Sequence, residues 1–332
     1  MKRPLRIAGG GLAGLSLGVA LARRGVAVEL HEALTYPRHR VCGEFISGVK
    51  RETLDRLGIR HLLDEGMPLS TASWNDGRGV VATQRVEGIG ISRWRLDDTL
   101  RREFESAGGV LVTGSRLQPQ PGTVWAAGRP RTPGPWIGLK AHFRSMPTTH
   151  DLEMFLSPVG YAGLARVDPE TVNLCGLFRS DAVRGAKGPE LLMRVLESGG
   201  LHSLVARLRD AEFVDGSFCG VAGFLPGVQA GPEFSIGDAA FMIPPFTGNG
   251  MSMAFESAEC ALDPCLDHAR GDCDWHAAAA RCAMSQLRRF RKRMRMARVL
   301  HGWITRPSAL RFTLLLARRH CIPFQSLLPL VR

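Results

Sequence analysis

Apolar positions at the start of the chain recur in the order strand, helix, strand. Leu5-Arg6-Ile7-Ala8 is a short apolar strand, and Gly9-Gly10-Gly11-Leu12-Ala13-Gly14 is a glycine turn. A helical period runs from Leu12 to Arg24 and stops at Gly25, and Val26-Ala27-Val28-Glu29-Leu30-His31 is a second strand ending on Glu32. Residues 48–63 read as a helix with Leu54 and Leu57 inward and Gly58 at its end. From 68 to 92 the helical period is lost, and Asn75-Asp76-Gly77 is a turn signal between strand-like runs. Ser92-Arg93-Trp94-Arg95-Leu96 opens a further helix that Gly108-Gly109 ends, and strands at 110–112 and 123–127 follow.

Residues 131–180 switch to strand character, with runs at 136–143, 152–156, 161–167 and 171–178 separated by Pro, Gly and Asp turns. An antiparallel sheet is the economical reading. A helix over 188–208 and a strand-like run over 212–218 come next. A strand ending on Asp238, a loop through Pro244-Pro245, and a helix starting near Gly250 then restore the first alternation. The expected fold is α/β. It has a Rossmann-like, three-layer unit from 1–67, 93–130 and 223–274, and an inserted antiparallel-sheet, substrate-binding unit from 68–92 and 131–222. C-terminal helices fill 275–332, with His301-Gly302-Trp303 expected to break the first of them.

The opening strand–turn–helix–strand carries a dinucleotide-binding fingerprint. Gly9 permits the tight turn, Gly11 lets backbone approach a pyrophosphate, and Gly14 lets helix and strand pack closely. The amides at the helix N-terminus, around Leu12 and Ala13, favour phosphate. Glu32 stands where a carboxylate accepts hydrogen bonds from ribose hydroxyls. Two rivals fail on context. The opening lacks a clear cleavage site for a secretory signal, and Ser16 in Gly14-Leu15-Ser16-Leu17-Gly18 falls inside a helix rather than on a nucleophile elbow.

Composition changes this picture little. The 332 residues are 45% hydrophobic and 22% charged, as in globular proteins generally, and no apolar run is long enough to span a bilayer. Eight scattered cysteines favour reduced thiols in a cytoplasm. The set Cys260, Cys265, His268, Cys273, His276 and Cys282 matches no usual zinc spacing. The formal net charge of +12 is concentrated late in the chain and comes with no nucleic-acid motif, so nucleic acid is not an expected partner.

Other candidates are spread along the chain. Arg40, in the basic loop after Glu32, is placed to stack on adenine or neutralise phosphate. Asp238 can accept from a polyol chain, and the helix N-terminus behind Gly248 and Gly250 can donate N–H groups to a ring carbonyl. In order, the N-terminal fingerprint, Arg93-x-x-Leu96-Asp97-x-x-Leu100, and Gly237-Asp238-Ala239-Ala240 with Pro244-Pro245 and Gly248-x-Gly250 resemble the FAD-dependent oxidoreductases of the para-hydroxybenzoate hydroxylase fold. The resemblance covers most of residues 1–265. It implies that the fingerprint glycines and Glu32 hold the ADP half of FAD, and that Arg93 lies near its phosphate or ribityl portion. Gly237 and Asp238 would bind the ribityl and pyrophosphate region, with Gly248, Gly250 and Met251 flanking the isoalloxazine.

Cys42-Gly43-Glu44 and Pro158-x-Gly160-Tyr161 further resemble the geranylgeranyl-reductase-like branch. Gly163 stands where that branch often has Trp, Ala126-Ala127-Gly128 lacks the usual Asp, and no Trp-x-Trp-x-Ile-Pro halogenase signature is present. The resemblance implies hydride chemistry at flavin N5 on a lipophilic or aromatic small molecule, with NAD(P)H or another external reductant as donor. Hydroxylation with O2 and a non-catalytic flavin sensor are the alternatives. Cys42 is a candidate proton donor, and Tyr161 a candidate whose hydroxyl enters the cavity. At the C-terminus, Leu287, Phe290, Met294, Ala297 and Leu300 form an apolar stripe covered elsewhere by arginines. That suits either peripheral membrane contact or a helix docked on the nucleotide unit with a solvated cationic back.

Overall fold

In the computed structural model, residues 3–130, 134–182, 185–224 and 226–319 are described. β1 (Leu5–Ala8) runs through the glycine turn into α1 (Leu12–Ala22), and β2 (Val28–Glu32) returns beside β1 in parallel register, Ile7 opposite Leu30. Every residue of α1 is buried. Such a helix presents no solvent face and must be packed on all sides. Gly18 is one reason it can be: a Cβ there would lie 2.9 Å from the Phe104 ring.

β3 (Phe45–Ile46) leaves this unit early, and α2 (Arg51–Leu57) is shorter than the expected 48–63 helix. Gly58, at φ +72°, ends α2 in a left-handed cap, and residues 60–63 continue as a separate 3-10 turn. β4 (Met67–Asp76) and β5 (Gly79–Gly90) form a long hairpin, bulged near Leu69 and Trp74. α3 (Arg93–Ser106) is capped by the Ser92 hydroxyl. β6 (Val110–Thr113) and β7 (Thr123–Trp125) then complete a four-stranded parallel sheet in the order β6-β2-β1-β7.

β8 (Trp136–Arg144), β9 (Leu152–Ser157), β10 (Gly160–Arg166) and β11 (Thr171–Arg179) are the expected antiparallel runs. The expected 188–208 helix is two helices, α4 (Pro189–Ser198) and α5 (His202–Asp210), separated where Gly200 takes φ +77°. The expected 212–218 strand shrinks to β12 (Glu212–Phe213), while β13 (Cys219–Ala222) pairs separately with β8. Together they build a nine-stranded sheet, β12-β8-β11-β10-β9-β4-β5-β3, with β13 also on β8. Strand alternation gives this sheet two different faces. Leu139, Ala141, Phe143, Leu164 and Leu174 pack under α4 and α5. Lys140, His142, Asn173, Cys175 and Tyr161 occupy the opposite face by register.

β14 (Gly227–Val228) pairs with β15 (Phe241–Met242). The expected strand ending on Asp238 is reduced to one parallel bridge, Trp125 to Ser235, and Gly237–Ala239 is a 3-10 turn. α6 (Gly250–Arg270) packs beside α1, and α7 (Trp275–Ile304) packs on α6. The expected break at His301-Gly302-Trp303 does not occur. A helical glycine costs only ~1 kcal/mol, and burial of Ile304 with Tyr161, Leu156 and Leu177 offsets it. α8 (Pro307–Arg318) closes the described chain, with Leu310 in the same cluster. No helix among the described residues is long and apolar enough to cross a membrane.

Candidate functional site

The fingerprint glycines divide by what surrounds them. Gly9 holds φ +107°, and a Cβ there would lie 2.3 Å from the Ala126 carbonyl oxygen. A Cβ on Gly14 would lie 2.0 Å from the Gly9 oxygen. Both positions are therefore fixed by the protein's own packing. Gly11 differs: a Cβ there would meet nothing within 4 Å. It caps α1 without a side-chain hydrogen bond, so the first-turn amides, which have no partner within the helix, and the positive end of the helix dipole stand next to this open position. The Leu12 and Ala13 side chains are buried, leaving only backbone to a ligand.

Glu32 ends β2 beside this turn, 5% exposed. It accepts from the Gly10 amide at 2.8 Å, the Leu34 amide at 3.1 Å and Arg38 Nη2 at 2.9 Å, and Arg40 Nη2 lies 3.5 Å away. Burial pushes its carboxyl up, but Arg40, Arg38 and the two amides outweigh that and hold it below the usual range. Tyr36 donates its hydroxyl to the Gly10 carbonyl.

Arg40 links this end to the next. Its Nε donates to Asp97 Oδ2 at 2.8 Å, and Arg93 holds the same fully buried carboxylate at two points. Arg93 also lies within electrostatic reach of Cys42 and of Asp238. Asp238 is exposed, yet burial raises its pKa while Arg93 and Arg129 oppose the rise. The carboxylate therefore has protein around it while keeping contact with solvent. Gly237, at φ +61°, donates its amide to Ser257 Oγ at 2.8 Å, and a Cβ there would lie 3.0 Å from the Ala13 Cβ. The Asp238 turn thus sits directly against the N-terminus of α1, although 224 residues separate Ala13 from Gly237 in the chain.

The far end is the N-terminus of α6. Gly250 is exposed, a Cβ there would meet nothing within 4 Å, and the helix has no side-chain cap. This is a second open glycine at a second helix N-terminus. Met251 is buried in the core of the nucleotide unit, so it too can offer only its amide. Gly248 has φ +66° and lies against Phe45, whose ring would be 2.0 Å from an added Cβ. Phe45 in turn packs on Leu69, Ala72, Leu152 and Ala165 of the large sheet.

The two candidate proton donors have different surroundings. Cys42 accepts the Glu44 amide at its sulfur at 3.4 Å, and Asn173 Nδ2 donates to its carbonyl at 3.0 Å. Burial pushes its thiol up, with Arg93 opposing. Tyr161, 5% exposed, stacks edge-on to Phe246 at 5.5 Å, and burial raises its phenol well above the usual value. Both groups are protonated at neutral pH.

Sequence reasoning missed a buried ionic cluster beside Cys42. Glu44 is fully buried in a left-handed backbone conformation, φ 57°. Its carboxylate accepts from His142 Nε2, from the Arg93 amide at 2.9 Å, and lies 3.3 Å from Lys140 Nζ. Burial works against its charge, but these partners hold its pKa low. Lys140, also fully buried, stands 2.8 Å from His39 Nδ1, and burial, Lys140 and His142 pull His39 down to about 4. His39, Glu44 and His142 are close enough to hold a metal ion, but the Lys140 ammonium already supplies the cation there. The signal available in sequence was the charged Lys140 and His142 at alternate positions of an otherwise apolar strand.

No family model matches the chain, and no curated protein matches it. Solved structures do. A geranylgeranyl bacteriochlorophyll reductase-like protein of Thermoplasma acidophilum superposes with a TM-score of 0.76 at 14% identity, covering 99% of this chain and 95% of the other. PqsL of Pseudomonas aeruginosa, in complex with 2-aminobenzoylacetate, gives 0.73 at 16% identity over 92% and 97%. The flavin-dependent brominase Bmp2 gives 0.71 at 17% identity over 98% and 92%. The chain has the para-hydroxybenzoate hydroxylase fold. Gly11 and Gly250 are both open glycines at helix N-termini, and the turn that holds Asp238 packs against both helices.

Proposed function

We propose that the chain is an FAD-dependent oxidoreductase that reduces a lipophilic or aromatic small molecule. The observation that carries this is the pair of helix N-termini without side-chain caps, at Gly11 and Gly250, with the turn that holds Asp238 packed against both helices. Gly9, Gly11, Leu12, Ala13, Gly14 and Glu32 would hold the ADP half. Arg40 and Arg93 would line the phosphates, Gly237 and Asp238 the ribityl chain, and the amides at Gly248, Gly250 and Met251 the flavin ring. FAD, when bound and reduced by NAD(P)H or another external donor, supplies hydride at N5.

Tyr161, Leu156, Leu177, Trp74 and Phe246 form an apolar cluster on the sheet face beyond the Gly248 loop, which suits a lipophilic or aromatic substrate. Saturating a double bond takes a hydride on one carbon and a proton on the other. Cys42 and Tyr161, both kept protonated by burial, would deliver that proton. The PqsL and Bmp2 similarities keep oxygen chemistry as the competing outcome. Single-turnover assays of the reduced holoprotein under anaerobic conditions, with a panel of prenyl and aromatic substrates, test the reading. Saturated product without O2 is expected. Product formed only with O2 overturns the reductase reading in favour of hydroxylation, and absence of bound flavin overturns the whole assignment.

A further inference from the structure

All of the chain's excess positive charge lies at one end. Residues 275–332 contain thirteen Arg and Lys and no Asp or Glu, so the first 274 residues are close to neutral. On α7 the cations fall into two sets. Arg281, Arg289 and Arg293 are paired with Asp267, Glu259 and Glu256 of α6 at 2.7, 2.6 and 2.6 Å, which fixes the helix to the body. Arg288, Arg291, Lys292, Arg295 and Arg298 are exposed, lie on the side of the helix away from its buried Gln286, Phe290, Met294 and Ala297, and have no acidic partner among the described residues. Met284, Leu287, Val299 and Trp303 share that outward side at 49%, 42%, 59% and 47% exposure. α8 adds exposed Phe312 and Leu315.

We propose that the outward face of α7, with the adjoining α8, docks on an anionic lipid surface. Unpaired cations at helical spacing attract an anionic surface, and the aliphatic and aromatic side chains among them match an interface that is polar outside and apolar a few ångströms further in. A nucleic-acid partner explains the arginines but not the Leu, Val and Met interleaved with them. The location adds a second argument. Ile304, Leu310 and Leu314, on the inner side of the same helices, pack on Tyr161, Leu156, Leu177 and Phe246. The end of the docking face that Trp303 and α8 form is thus the outside of the roof over the apolar sheet face, where a lipophilic substrate dissolved in a bilayer would arrive.

Flotation of the full-length protein with vesicles tests this independently of any flavin assay. Binding to phosphatidylglycerol–phosphatidylcholine vesicles that weakens with salt, and none to phosphatidylcholine alone, is expected. The triple variant Arg291→Gln, Arg295→Gln, Arg298→Gln should partition about 100-fold more weakly, at roughly fivefold per cation, while Arg281→Gln, whose cation is paired, should change it little. Trp303→Ser should weaken binding without flattening its salt dependence. Failure to float with anionic vesicles, equal binding to zwitterionic ones, or tighter salt-sensitive binding to duplex DNA or RNA overturns the proposal.

Discussion

Arg93 and Asp97 stand one turn apart on α3 and are joined at two points, Nε to Oδ1 at 2.6 Å and Nη2 to Oδ2 at 2.8 Å. The pair sets the direction in which Arg93 faces Cys42 and Asp238. Because Arg40 uses the same carboxylate, one buried aspartate orients the two cations proposed to line the cofactor's phosphates. Asp97→Ala leaves both without their counter-charge. We expect a loss of about 3 kcal/mol in urea unfolding and a lower flavin content at matched protein concentration. An unchanged unfolding midpoint would show that Asp97 is not holding them.

Gly11 and Gly14 should separate fold from ligand. Gly14→Ala places a methyl group 2.0 Å from the Gly9 oxygen, so the apo-protein should lose ~1–3 kcal/mol or more. Gly11→Ala places one in open space, so the apo-protein should unfold at the same temperature or slightly higher. Its FAD affinity should nevertheless fall at least tenfold, about 1.4 kcal/mol. Titration calorimetry with FAD on both apo-proteins checks this, and unchanged affinity in Gly11→Ala would remove the turn from the site.

His39 predicts a pH dependence of stability. Its pKa falls from 6.5 unfolded to about 4 folded, so the folded state binds fewer protons between those values. The stabilisation is complete above pH 6.5 and is lost as pH falls towards 4, by about 2–3 kcal/mol at most. Urea unfolding at pH 7 and pH 4.5 should show this loss in wild type and a smaller one in His39→Gln. His301, also lowered by burial, and the carboxylates of Glu32 and Glu44, held low by their partners, contribute to the slope common to both.

Cys42 offers a chemical test. With its thiol pushed up by burial, iodoacetamide should label it slowly at pH 7.5 and faster as pH rises, as followed by peptide mass spectrometry. Cys42→Ser should keep its flavin and lose activity in the step that delivers the proton, at least tenfold. Full activity in that variant would leave Tyr161 as the donor.

Lys140→Met removes the cation between His39 and Glu44. Breaking a buried charged pair on one side costs about 3–5 kcal/mol, and the double variant Lys140→Met with Glu44→Gln should recover part of it. Thermal unfolding of the two variants measures that coupling.

The sequence by itself determined the elements whose conformation is local. The glycine turn, the buried helix after it and the carboxylate ending β2 follow from glycine torsions and apolar period, and the four runs of 136–179 follow from short strand-like stretches set between Pro, Gly and Asp turns. These depend on neighbours within a few residues. What only the tertiary structure decided depends on contacts distant in the chain. Asp97 serves Arg40, 57 residues before it. Glu44 meets Lys140 and His142, and Phe45 leaves the nucleotide unit to join the large sheet. Gly302 reads locally as a helix breaker and stays helical because Ile304 is buried against Tyr161. A side chain's period tells which way it faces along its own element. Which group it meets there is set by how the elements pack.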